Sequence, residues 1–573
     1  MTETTFLVPR NTGTHGDVLA AAGLADLLAG VPGAGAVRIR ETEIGFAVSV
    51  PELVDVGRLP QNPGYPFLKV KADAPVPRGA VDVVDYRDER AKAERRKQAR
   101  GGAGKRRRGR VEPQTEQAIQ EEAPREDWAL LQVLNSLQGD ETSNRVHAAV
   151  VGRAPDRWRG EMTRALTALG DGEPSGLDWK ATTVQLFTPT AAKGYCRLKP
   201  DSTDRNDKTK DRWADPLVEW LRYRGYFRVA CPFFRDSDVR LLCPVPRDIS
   251  MRALESLTRE LRRAGVPGGP PKLDALAVLR MAELLVRHSE EYHDADTEPW
   301  PGLSLAGKTP AAAISGVMVT HYQSLGQSRA VSAMATLALP GWFPIRDRHD
   351  AETWLAILDE HQGIVRGLKD DHSDEIGLLL LYRRFLERRE GSAAWALVGF
   401  MEHYGPFLIR ARERDRKVRS FRTDHFRETV KDMDTSLTEI LDDAGFKAVA
   451  AAVRRATVSA QALKAMRRPD YREIRYELLP ELRRKRSLPG VAPLMESVAD
   501  FVASYNVENA RRREMGKDAP RNVTTDELSA LARLLERHGT SLVGALLCAY
   551  GSCREPREGE AVEDQPPTGS QKV

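Results

Sequence analysis

The chain has 573 residues, 41% of them hydrophobic and 29% charged. That apolar fraction supports buried cores and excludes a mainly disordered polymer, and the length fits two to four domains of ~150 residues. Eighty-seven Lys and Arg against 82 Asp and Glu leave a net charge of only +5, so the placement of the charges decides more than their sum.

Residues 1–88 alternate short apolar runs with Gly and Pro and have α/β character. Asp17 to Ala29 carries helical apolar spacing with Gly30 as a stop, and Ala36–Ile39 and Ile44–Val50 read as strands joined by a turn. Residues 89–125 break this pattern. Lys92 to Arg110 holds ten Lys or Arg and one acid with almost no apolar residue, so it reads as a basic flexible linker or insertion. It is either a solvated loop or an arm that holds phosphates.

Residues 126–390 form a central mixed α/β region. Asp178–Phe187 reads as a strand approach, and Asp215–Arg224 as a helix with Trp220 and Leu221 inward. Phe227–Phe234 and Val239–Pro244 read as paired strands, and Ile249–Ala264 and Leu273–His288 as amphipathic helices. From 391 to 555 the spacing is helical throughout, over Glu439–Arg455, Val491–Glu508 and Thr525–Tyr550. Thr524 and Glu527 make a capping box. Residues 556–573 are polar and Pro-rich and read as a disordered tail. The predicted class is α+β: a mixed N-terminal α/β region followed by an all-α C-terminal helical bundle.

No apolar run approaches the ~18 residues of a membrane span, and Met1 to Arg10 has no secretory pattern. The five cysteines, Cys196, Cys231, Cys243, Cys548 and Cys553, contain no C-x-x-C pair. They predict ordinary thiols in a reducing cytoplasm rather than disulfides or a zinc site.

Two motifs suggest catalysis. Gly302-Leu-Ser-Leu-Ala-Gly307-Lys308-Thr309 fits G-x-x-x-x-G-K-[ST], a loop whose backbone N–H groups cradle phosphates in nucleotide hydrolases. Such a loop needs a strand before it, and Pro299 and Pro301 stand there instead. The pairs His293-Asp294 and His349-Asp350, with His288, His321 and His361 nearby, suggest a metal-dependent nuclease. The pairs sit in Pro-rich or loop-like contexts, and chance pairing in surface loops is the preferred reading. The sequence contains no G-x-S-x-G elbow and no H-E-x-x-H.

Gln185 to Phe234 is more informative. After Pro189 come Lys193, Gly194, Tyr195, Arg197 and Lys199, then a polar stretch with Lys208 and Lys210, then Trp220-Leu221. Spaced cations on a glycine-permitted turn can neutralise phosphates, and Tyr195 can stack on a base. A plain solvated basic loop is the alternative. Further cations lie in the helical region. They are Arg410, Arg412, Arg414, Arg416, Lys417, Arg419 and Arg422; then Arg467, Arg468, Arg472, Arg475 and the run Arg483 to Arg486, with Arg484 inside it; then Arg511 to Arg513. Interleaved acids such as Glu413, Asp415 and Glu481 also allow a charge-balanced solvated face.

The Pro-x-x-x-Lys-Gly-x-x-Arg-x-Lys stretch followed by a Trp-Leu helix resembles the central signature of the large subunit of type I CRISPR Cascade complexes. Thr12-Gly13-x-x-Gly16-Asp17-Val18 resembles the family's Gly-Asp entry into its first helix. Ser324-Leu-Gly326-Gln327 and Leu339-Pro340-Gly-Trp342 resemble its Ser-Leu-Gly and Leu-Pro-x-Trp segments. The helical end resembles a C-terminal bundle similar to the small Cascade subunit.

The resemblance implies a non-catalytic, cytoplasmic subunit without cofactors, partnered by crRNA-containing backbone and small subunits. It implies reading of a flanking motif (PAM) in duplex DNA, R-loop stabilisation on the displaced strand, and docking of a helicase-nuclease. Lys193, Tyr195, Arg197, Lys199, Lys208, Lys210, Arg410, Arg414, Lys417, Arg467, Arg468 and Arg484 are its candidate nucleic-acid contacts. Met401 and Met433 precede most of the bundle, and a shorter product started within the gene is a further expectation.

Overall fold

The structure is a computed structural model. It describes the chain apart from residues 1–3, 32, 34, 52–58, 60–64, 106–122, 138, 179–180, 182–183, 190–214, 327–328, 389–390, 468–470 and 557–573. The N-terminal part mixes sheets with helices, and the chain is helical from Arg348 onward.

The first elements are β1 (Thr4–Pro9), α1 (His15–Ala29), β2 (Arg38–Glu41), β3 (Gly45–Val50), β4 (Pro66–Lys69), β5 (Asp82–Asp85) and α2 (Tyr86–Lys105). The segment expected to lack structure of its own is therefore helical as far as Lys105. Its early turns carry local ion pairs: Arg90–Glu94 at 2.8 Å and Lys92–Glu89 at 2.7 Å. Such i,i+3 and i,i+4 pairs support a polar helix that has no apolar face. Then follow α3 (Trp128–Ser136), α4 (Asp140–Val151), α5 (Pro155–Gly170) and α6 (Pro216–Val229). Of the expected strand approach at 178–187, the described residues 184–187 form a turn instead, in which Thr188 N donates to Val184 O at 2.9 Å.

Thirteen of the fifteen α1 residues are buried, so this helix is apolar all round and lies inside the core. It packs against α6 through glycine. A Cβ on Gly23 would stand 1.9 Å from Leu221 O, and one on Gly225 would stand 1.9 Å from Leu19 O. Only glycine allows the two backbones to approach this closely. Trp220 and Leu221 are fully buried, as the spacing predicts.

Next come β6 (Cys231–Arg235), β7 (Asp238–Pro246), β8 (Asp248–Ser250), α7 (Met251–Ala264), α8 (Pro270–Arg287), β9 (Ile314–Ser324) and β10 (Arg329–Ala338). One antiparallel sheet runs β1-β3-β2-β8 and a second runs β10-β9-β7-β6, while β4 and β5 pair in parallel. Phe227 belongs to α6 rather than to a strand, and the β6–β7 pairing starts at Cys231. Asp274 on α8 has no exposed surface. It accepts from Arg383 Nε at 3.0 Å and also binds Arg240 of β7.

The helical part comprises α9 (Arg348–Gly367), α10 (Ser373–Glu387), α11 (Gly391–Glu413), α12 (Thr423–Val430), α13 (Thr435–Asp442) and α14 (Ala444–Arg454). A π turn over Arg455–Ser459 leads into α15 (Ala460–Ala465), followed by α16 (Leu478–Lys485), α17 (Ala492–Glu514), α18 (Thr525–His538) and α19 (Thr540–Gly551). Two expected helices are each divided in the structure. Asp443 caps a fresh helix by accepting from Phe446 N at 2.8 Å, and Gly539 turns the chain at φ +86°. The capping box at Thr524 and Glu527 forms as read. Among the described residues no helix is long and apolar enough to cross a membrane.

Candidate nucleic-acid interface

Lys193, Tyr195, Arg197, Lys199, Lys208 and Lys210 lie outside the described residues, as do Arg468 and Cys196. The two feet of the 190–214 segment are described, and both are tied to α6. Asp215 caps α6, accepting from Leu217 N at 2.9 Å, Val218 N at 3.2 Å and Ser175 N at 2.7 Å. Thr188 is fully buried, and its hydroxyl accepts from Arg222 Nη1 at 3.0 Å.

Arg222 is the hub of this region. It also donates to Glu219 Oε1 at 2.6 Å and to Gly16 O at 3.3 Å, and it stands 4.0 Å from Asp17. Burial pushes the Glu219 carboxyl up against the pull of Arg222. Asp17 in turn accepts from Thr12 N, Thr12 Oγ1 and Gly13 N. The Gly-Asp motif therefore shapes the entry to α1 from within. A Cβ on Gly16 would meet Phe187 O at 2.2 Å. Burial lowers the pKa of neighbouring His15 to about 4. Its neutral ring donates from Nε2 to Leu186 O at 2.7 Å and accepts from Thr320 Oγ1 at 3.1 Å.

The helical cations divide into two groups. Arg412 donates to Ser420 Oγ at 2.7 Å, Arg416 grips Glu375 at 2.7 and 2.9 Å, and Arg419 reaches Asp359 at 2.8 Å. Arg422 pairs with Asp424. Arg472 is buried against Tyr505 and bonds Asn509 Oδ1 at 2.6 Å, while Arg486 clasps Glu402 at 2.6 Å. These arginines have partners within the fold, although Arg419 and its partner Asp359 both remain exposed. Arg410, Arg414, Lys417, Arg467 and Arg484 stay on the surface.

The exposed group shares one region. At 3.6 residues per turn, Trp395, His403 and Arg410 fall on one face of α11 over ~22 Å, Arg414 stands in the turn just past its end, and all four are exposed, Trp395 by 40%. Tyr476 OH donates to Glu413 Oε1 at 2.9 Å, and Lys464 stands 3.8 Å from the same carboxylate. This link brings the end of α15, with Arg467, beside the end of α11. On α16, Arg483 donates to His403 Nδ1 at 2.9 Å, placing exposed Arg484 beside the middle of the same face. Burial and the positive charge of Arg483 lower the His403 pKa. Met466, which precedes Arg467 in the chain, is exposed, and so is Tyr471.

Cations interleaved with an exposed Trp and Tyr supply both parts of a single-strand site, charge for the backbone and rings for the bases. The sequence reading missed Trp395, His403, Lys464 and Tyr471. An exposed tryptophan on an amphipathic helix has the same local spacing as the buried Trp220.

The two catalytic motifs take other forms. In Gly302–Thr309 the backbone N–H groups needed for phosphate are already used. Gly302 N donates to Glu290 Oε1 at 2.7 Å, Leu305 N to Glu291 Oε2 at 3.0 Å, and Gly307 N to Ile345 O at 2.7 Å. After Thr309 the chain forms a three-residue 3-10 turn, Pro310–Ala312, in place of the long helix that a phosphate loop opens.

Asp294 faces Arg348 at 3.4 Å, and Asp350 accepts from Arg346 N at 3.0 Å. His361 is buried against Tyr382 OH at 2.7 Å. Among the described residues no group of three or more His, Cys, Asp or Glu could hold a metal. Cys231, Cys243, Cys548 and Cys553 are free and buried, and burial pushes the Cys231 thiol up to about 12. Trp342 of the Leu-Pro-x-Trp segment is a core residue stacked on Trp354 at 4.6 Å.

No protein-family model and no curated protein matches this sequence.

Proposed function

We propose that the protein is the non-catalytic large subunit of a type I crRNA-guided complex. In this reading it binds target DNA at a flanking motif and holds the displaced strand. The observation that carries the reading is the exposed face of Trp395, His403, Arg410 and Arg414, flanked by Arg467 and Arg484. It remains after every internally paired arginine is set aside. The resemblance of the Pro189–Lys199 stretch, with its feet anchored on α6, supplies the second support.

Sequence choice in such a complex belongs to guide pairing, and the protein contributes backbone and flanking-motif contacts. The Lys193–Lys199 loop is assigned to duplex DNA and the α11 face to single strand. A cytoplasmic location, backbone and small subunits as partners, and docking of a helicase-nuclease belong to the same proposal.

Expression with the neighbouring genes, followed by purification, tests it. The expected result is co-purification with a guide RNA of roughly 60 nucleotides. A second expected result is binding of matched duplex DNA that weakens with salt. Purified protein without RNA and without affinity for DNA at 50 mM salt would overturn the proposal.

A further inference from the structure

The sheets and the helical part meet around a cavity of about 520 Å³. That size falls in the range of small-molecule sites, which favour junctions between structural units. One wall comes from the β2–β3 turn, from Arg247 between β7 and β8, and from residues flanking the β9–β10 hairpin. The other comes from the end of α10, the start of α11 and Met433 between α12 and α13.

The floor is apolar. Leu339, Trp342, Phe385 and Leu386 line it, and all four are buried. The Trp342 indole N–H is buried without an acceptor among the described residues. Trp354, stacked on it, donates to Phe343 O at 2.9 Å. Buried N–H groups are nearly always paired, so the fold leaves this wall incomplete.

The mouth is charged. Arg247 reaches it from the sheet side and Arg388 from the end of α10, and both are exposed. Among the described residues neither side chain has a hydrogen-bond or ion-pair partner. Two carboxylates line the same opening. Glu41 is held by Arg10, which leaves Glu43 as one uncompensated acid against two uncompensated cations.

We propose that this cavity binds a small organic anion, its apolar body on the floor and its acid group held by Arg247 and Arg388. The inference is independent of the nucleic-acid reading. A purely polar ion would leave the apolar floor unused, and a neutral molecule would leave the arginines unmatched. The planar guanidinium fork suits a carboxylate, sulfonate or phosphate. Because both arginines already stand in solvent, holding the acid group requires no burial of an unpaired charge.

The probe is anilinonaphthalene sulfonate, an aromatic anion whose fluorescence rises in apolar surroundings, titrated against the full-length chain at 50 mM salt. Saturable binding to one site is expected. The R247A/R388A variant should bind about tenfold more weakly. Glu43→Gln removes a repelling charge and should tighten binding about twofold. Gly341→Leu plugs the cavity and should abolish it. A Cβ on Gly341 stands 3.8 Å from both Thr309 Oγ1 and Ala311 Cβ, two lining residues, in ordinary contact. A thermal melt checks that each variant is folded.

Competition completes the test. Naphthoate should displace the probe, and naphthalenemethanol, with the same rings and no charge, should do so at least tenfold more weakly. The dT30 oligonucleotide should not displace it. No binding by the parent chain, or equal binding by R247A/R388A and Gly341→Leu, overturns the site. Weaker binding by Glu43→Gln, or equal competition by the alcohol, overturns the anionic class. Displacement by dT30 would put a strand in the cavity and overturn the small-molecule assignment.

Discussion

Replacing Arg410, Arg414 and Lys417 by alanine removes three exposed cations at and just past the end of α11 without touching the hydrogen bond of Arg412 or the ion pairs of Arg416 and Arg419. Each phosphate contact on a single strand contributes about 0.7 to the slope of log K against log salt. Three lost contacts flatten the slope by about 2. Near 1 M salt the variant and parent then bind alike, while at 0.1 M the variant binds about a hundredfold more weakly.

The assay is anisotropy of a labelled dT30 oligonucleotide between 50 and 300 mM KCl. Exposed surface changes of this kind shift stability by only about 0.5 kcal/mol, so a thermal melt shows whether folding is intact. Coincident or parallel lines for parent and variant would refute the assignment of the α11 face, because a phosphate contact cannot be lost without a change of slope.

Gly23→Ala drives a methyl into Leu221 O and should cost ~3 kcal/mol or prevent folding, seen as a large drop in Tm. Gly160→Ala on α5, where the added methyl meets open space, should instead raise stability by ~1 kcal/mol. Asp274→Ala leaves Arg240 and Arg383 without their shared buried carboxylate and should cost about 3 kcal/mol in urea denaturation. His15 has a folded pKa of about 4 against 6.5 unfolded, so the unfolded chain takes the proton first. Its contribution is intact above pH 6.5 and is lost by about 1.4 kcal/mol per unit as pH falls toward 4. His15→Gln should flatten the stability profile between pH 6.5 and 5 by one proton equivalent, and an unchanged slope would exclude His15 as its source.

The fold class was legible because it rests on local pattern. Apolar spacing marks α1, α7, α8 and the C-terminal helices, and the capping box at Thr524 starts α18 where the spacing says it should. Breaks in the pattern were harder. The turn at Gly539 and the cap at Asp443 each interrupt an apolar stripe that continues across them, so one stripe yields two helices. Residues 86–105 have the composition of a loop and form a helix whose early turns carry ion pairs three and four residues apart.

The candidate interface depended on tertiary structure more than on composition. The sequence by itself placed the cations, although Arg414, Lys417, Arg419, Arg467, Arg472 and Arg475 lie between helices in the structure. It could not separate Arg410, Arg414 and Lys417 from Arg412, Arg416 and Arg419, because the groups that neutralise the second set come from elsewhere. Arg416 meets Glu375, Arg419 meets Asp359, Arg486 meets Glu402 and Arg472 meets Glu508, pairs brought together only by tertiary packing. The same holds for Gly302–Thr309, whose N–H groups are taken by Glu290, Glu291 and Ile345. A motif specifies which groups are present. Whether those groups remain available to a ligand depends on which distant side chains the fold brings against them.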